Sequence, residues 1–146
     1  MKMKTLKQYI PIDSRHKLLF TSHYPEGMVF TDVGVLLANA IESSLLDRHL
    51  PMIADEAIEK IVSENVKHDL EIGDYIAIRN IGILFEPALH LDLHAKFSAW
   101  SKSYTLIVEC LEGIIQNGCF YLAGAIDQHY SINLSDISHN IHYDEI

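Results

Sequence analysis

The chain has 146 residues, with 20 acidic side chains against 11 basic ones and a formal net charge of −9. That length suits one domain around one core. The acidic balance argues against direct, non-specific nucleic-acid binding, which needs clustered Lys and Arg.

Residues 1–15 read as a polar, basic lead-in, and residues 16–146 as a single α/β domain. Met1 to Lys7 is basic, but no apolar segment or small-residue cleavage site follows it, so no signal peptide is expected. No apolar run reaches the roughly 18 residues needed to cross a membrane, so no membrane partner is expected either. The expected compartment is cytoplasmic, with Cys110 and Cys119 as reduced thiols.

The apolar run Lys17–Ser22 predicts a first strand, and the Pro and Gly of 23–27 predict a turn. A link this short suits a hairpin to the next predicted strand, Met28–Val33, better than a parallel crossover. Val35, Leu36, Ala38, Ile41, Leu45 and Leu46 recur at helical spacing and predict a helix over Gly34–His49, ended by Leu50-Pro51. A second helix is predicted over Ala54–Lys67, with Asp55 and Glu56 in its first turn.

The stretch from Tyr75 to Phe85 is almost continuously apolar and rich in Ile. It predicts one long buried strand of the kind found in sheets covered on both faces. Glu86-Pro87 breaks it, a helix is predicted over Leu91–Ser101, and Thr105–Cys110 predicts another buried strand. Asn117-Gly118 lies between Gly113–Ile115 and Cys119–Leu122 and predicts a hairpin, because both turn residues tolerate positive φ. One or two weaker strands are expected between residues 128 and 143. Helices fall between strands, so the expected fold is α/β: a mostly parallel core with an antiparallel hairpin near the C-terminus.

From Asp74 onward the chain resembles the small P-loop subunit of type 3 BREX phage-defence systems. The resemblance rests on Asn80-Ile81, Leu84-Phe85-Glu86-Pro87, Leu89, Asp92, Leu106–Glu112 after Ser101–Thr105, the Asn117-Gly118 turn and Tyr121. It covers about half of the chain, and it implies a P-loop-like sheet. In that family the first strand leads into a glycine-rich phosphate loop with Lys and Ser or Thr. No GxxxxGK[ST] occurs here, and the family's acidic positions at the end of the long strand hold Arg79 and Gly82. An arginine neither holds Mg²⁺ nor polarises an attacking water. The resemblance therefore implies a degenerate nucleotide site, a pseudo-ATPase with no catalytic residues and no cofactor.

Two further features carry chemistry. Glu86, His90, Asp92 and His94 have metal-like spacing: on a helix His90 and His94 stand at i and i+4, with Glu86 one turn earlier. Asp92 serves equally well as a helix cap. Arg79, alone in an apolar run, needs a partner acid such as Glu109, or else contacts an anion or another subunit's nucleotide. Nothing basic follows Lys102, so the C-terminal part is acidic and suits docking to a basic protein. The leading expectation is a non-catalytic structural or adaptor subunit of a multi-protein bacterial assembly, in anti-phage defence, with hetero- or homo-oligomeric protein partners. The alternatives are a small metal-dependent enzyme using His90, Asp92 and His94, and a nucleotide sensor that does not hydrolyse.

Overall fold

Three runs are apolar at almost every position, and they form the centre of a sheet: β1 (Leu18–Thr21), β4 (Gly73–Arg79) and β5 (Thr105–Glu109). Strands sealed on both faces have no polar side to alternate with, which is why no period of two is visible in them. The computed structural model describes residues 10, 14–22, 28–109, 113–122 and 131–142. The turn expected at 23–27, Cys110 and most of the lead-in lie outside those residues.

The main sheet has the order β2-β4-β5-β1-β9, where β2 is Thr31–Asp32 and β9 is His139–His142, and every pairing in that row is parallel. A short β3 (Lys67–Asp69) adds antiparallel to the start of β4, end to end with β2 along the same outer edge. The expected α/β class with a mostly parallel core is present. The hairpin of β1 with the following strand is not. From β1 the chain crosses to the far edge of the sheet, three positions away. There β2 pairs only with Ile78 and Arg79, at the carboxyl end of β4. The link need not return to the other end; it spans only about 14 Å sideways, three inter-strand steps.

The handedness rule then assigns the faces. The steps from β2 to β4, β5 and β9 all run one way across the sheet, so right-handed crossovers place their connections on one face. On that face lie α1 (Val33–Ile41), α2 (Leu50–Glu64) and α3 (Leu93–Ser103). They bury Leu37, Ile58 and Phe97 against Phe20, Ile76, Ile78 and Leu106. The step from β1 to β2 runs the opposite way, and its Met28 joins Ile10, Leu19, Tyr75, Ala77 and Ile107 in a smaller core on the other face.

Three element boundaries differ from the sequence expectation. The helix expected over Gly34–His49 stops at Ile41, and Glu42–Ser44 tightens into a 3₁₀ turn. Leu50-Pro51 does not end a helix but opens α2, because Pro in a first turn lacks only an N–H that would be unpaired anyway. The strand expected over Tyr75–Phe85 ends at Arg79. Asn80 is left-handed, with φ of 58°, and Ile81–Phe85 coils into a 3₁₀ turn that buries Ile81, Leu84 and Phe85. A short apolar run reports burial, not backbone conformation.

The Asn117-Gly118 hairpin forms as expected, with φ of 53° and 77°, joining β6 (Ile114–Gln116) to β7 (Cys119–Tyr121). With β8 (Ser131–Asn133) these strands make a separate three-stranded antiparallel sheet. It docks on the helical face through Phe120, Ile132, Leu134 and Ile137. Phe120 stacks on Phe20 with 4.7 Å between ring centroids.

Candidate functional site

Open α/β sheets bind ligands beyond the carboxyl ends of their strands, and that edge holds Arg79. Asp32, at the end of β2, is the N-cap of α1: its Oδ1 accepts from the Val35 N–H at 2.9 Å. The same oxygen accepts from Asn80 Nδ2 at 2.9 Å, and Oδ2 accepts from Arg79 Nη1 at 2.8 Å. The left-handed Asn80 thus turns its amide back onto the cap. Gly34 makes room for this, since a Cβ there would overlap that amide and approach the Asn80 carbonyl oxygen to 2.6 Å.

The expected pairing of Arg79 with Glu109 is corrected: the ion pair goes outward to Asp32, which the parallel register sets opposite Arg79. Glu109 Oε2 is buried with no hydrogen-bond partner among the described residues. The expectation of one strand over Met28–Val33 passes over Asp32. An Asp immediately before an apolar helical run is nevertheless an N-cap signal.

The Val35 N–H, then the Asn80 amide and the Arg79 guanidinium, hold the Asp32 carboxyl below the usual aspartate range against the opposing effect of burial. A depressed folded-state value means that the contribution is present above the ordinary aspartate pKa and is lost as pH falls through the folded one. Asp32→Ala is expected to cost about 1–2 kcal/mol, nearly all of it the lost cap, because the half-exposed guanidinium adds little. Asp32→Asn, which still caps, should cost less than half as much. Urea unfolding at pH 7 and pH 3.5 checks both: the deficit of Asp32→Ala must shrink at the lower pH.

The structure brings Glu86, His90, Asp92 and His94 onto one cleft of about 430 Å³, between the 3₁₀ turns that follow β4, the start of α3 and β8. They do not converge as the metal-enzyme alternative requires. Among the described residues no group of three or more His, Cys, Asp or Glu is placed to hold a metal ion. Asp92 is the N-cap of α3, accepting from the Ala95 N–H at 3.0 Å. His94 Nε2 lies 2.7 Å from Asp136 Oδ1, a contact that ties α3 to the segment after β8 and holds the Asp136 carboxyl low. His90 is left-handed, with φ of 49°. The helix expected to align His90 with His94 begins only at Leu93.

A third feature is the outer face of α1. The sequence of this helix, VGVLLANAI, has no charged residue. A helix whose one polar side chain is Asn39 is normally enclosed, yet Val35 is 51% and Leu36 40% exposed. Val29, Leu45, Leu46 and Met52 are exposed near it in the chain, so six of the seven large exposed apolar side chains among the described residues fall between positions 29 and 52. Comparison of the chain with protein-family models, curated proteins and solved structures gives no match.

Proposed function

We propose that the chain is a non-catalytic adaptor subunit of a bacterial protein assembly, with a P-loop-like sheet whose nucleotide site is degenerate. One observation carries the reading: an uncharged helix with a bare apolar face. Val29, Val35 and Leu36 line one cleft beside it, and exposed apolar side chains grouped on one surface mark interaction sites. The parallel sheet supports the P-loop element of the proposal, since its first strand lies inside the sheet and β5 separates it from β4. The degenerate part of the proposal is supported by the absence of a phosphate-loop motif from the sequence and by the capture of Arg79 by Asp32 where a metal-holding carboxylate would stand. Resemblance of the second half to a phage-defence subunit makes such an assembly the setting.

The test is co-expression with the products of the neighbouring genes, followed by size-exclusion chromatography. Wild type is expected to co-elute with one of them, and Leu36→Asp to elute alone while melting at the wild-type temperature. A chain that elutes by itself in every combination rules the adaptor role out. ATP with Mg²⁺ is expected to leave the melting temperature unchanged. A rise would mean that the folded state binds nucleotide and would favour the sensor alternative.

A further inference from the structure

We propose that a second copy of this chain covers the bare face of α1, the two α1 helices packing antiparallel across a two-fold axis at Asn39. The pairing rests on the reading of α1 as a docking face and names its first occupant. Other subunits of the assembly then bind the pair, so that Leu36→Asp loses both contacts.

The burial pattern puts Asn39 at the middle of that face. Val33, Gly34, Leu37 and Ile41 are buried. At 3.6 residues per turn they share one side of the helix, and Asn39 stands opposite them, one turn after Val35. Val35, Leu36, Ala38, Asn39 and Ala40 are all exposed. Apolar side chains gather at both ends of this row. At the N-terminal end Val29, Val35 and Leu36 line a cleft of about 350 Å³. Leu45 and Leu46 follow the C-terminal end, and Leu46 is fully exposed. A two-fold axis at Asn39 lays each end on the opposite end of the other copy, so apolar groups meet apolar groups on both sides. Ala38 and Ala40 flank the axis and let the two helices approach closely.

Charge selects the second copy over a different protein. The chain carries −9 overall, yet α1 carries no charge, so two copies meet here without opposing like charges. The rim is complementary to itself: Lys67 lines the cleft at one end of the face, and Glu42 follows α1 at the other. Antiparallel packing points each Lys67 toward the second copy's Glu42 and sets the helix dipoles head to tail. Asn39 fits the axis because a carboxamide both donates and accepts, so two of them satisfy each other. Against an apolar partner the same amide would be buried unpaired, at a cost. The exposed apolar side chains between Val29 and Met52 offer roughly 600 Å² per copy, most of the roughly 800 Å² a side that a stable pair buries, and the polar rim adds the rest.

The test is sedimentation equilibrium of the full chain by itself. At about 100 μM the wild type is expected at twice its 16.6 kDa mass, with Kd on the order of 10 μM for an interface of this size. Leu36→Asp and Leu46→Asp, at opposite ends of the face, should each sediment as monomers and melt at the wild-type temperature. Asn39→Asp and Asn39→Lys should each be monomeric alone, because like charges then meet at the axis, and a one-to-one mixture of the two should recover the dimer mass. Only a position that meets its own copy gives that result. A wild-type monomer overturns the proposal whatever the variants do. So does a dimer that survives both Leu substitutions, or a mixture that stays monomeric. A monomer that still co-elutes with a neighbouring gene product overturns the pairing and leaves the adaptor reading standing; a dimer that co-elutes with none does the reverse.

Discussion

Phe120→Ala is expected to destabilise the protein by about 3–5 kcal/mol, the cost of truncating a buried aromatic and leaving a cavity. Phe120 stands on the central strand of the small sheet and is 1% exposed. Its ring stacks on Phe20 of the main sheet at 4.7 Å and lies 6.3 Å from Phe85 of the 3₁₀ turn after β4. Three strands of three residues cannot hold themselves together in water, so the small sheet depends on this contact and on Ile132, Leu134 and Ile137. The His94–Asp136 pair that also joins the two parts is solvent-exposed and contributes little. Hydrogen exchange should therefore show β6, β7 and β8 losing protection before β1, β4 and β5. A deficit below about 1 kcal/mol, or uniform loss of protection, would show that the ring is not the joint.

Gly34→Ala is expected to cost about 1–3 kcal/mol through overpacking, although Ala is favoured over Gly by about 1 kcal/mol inside an ordinary helix. The sign is the test. A methyl group at position 34 would overlap the Asn80 amide and meet its carbonyl oxygen at 2.6 Å. The side chain can swing away, but the backbone oxygen cannot move without disturbing the turn that leaves β4. Asn80→Gly alone should cost less, since glycine accepts positive φ at no steric cost. Combined with Gly34→Ala it should relieve part of the deficit and leave the carbonyl contact, giving a non-additive cycle. A Gly34→Ala protein as stable as wild type would mean that α1 shifts freely against β4, and the Asp32–Asn80–Arg79 link would lose its structural meaning.

Much of the framework was legible because it depends on local chemistry. Leu18–Thr21 and Thr105–Glu109 are short apolar runs bounded by polar residues, the pattern of strands in a sheet covered on both faces. Asn117-Gly118 had to turn, because few other pairs accept two positive φ values. The readings failed where one local signal fits two conformations. Ile81–Phe85 is as apolar as the strand before it, and whether it extends or coils depends on Asn80, whose left-handed backbone is held by a cap two strand ends away in sequence. Leu50-Pro51 marks a helix boundary from either side, and packing of Leu50 and Ala54 in the core chose the start. Glu86, His90, Asp92 and His94 are close neighbours in the sequence, but the irregular backbone between Glu86 and Asp92 spreads them around a cleft.

The α/β class, the buried parallel strands and the absence of a phosphate-loop motif follow from the sequence alone, because burial, turn chemistry and a missing motif are properties of short segments. Only the tertiary structure decided that Arg79 pairs with Asp32, that α1 keeps a bare apolar face, and that β8 closes the cleft holding Glu86 and Asp92. Each depends on which strands lie side by side. That order is set by crossover handedness and by packing between segments far apart in the chain, and no local pattern encodes it.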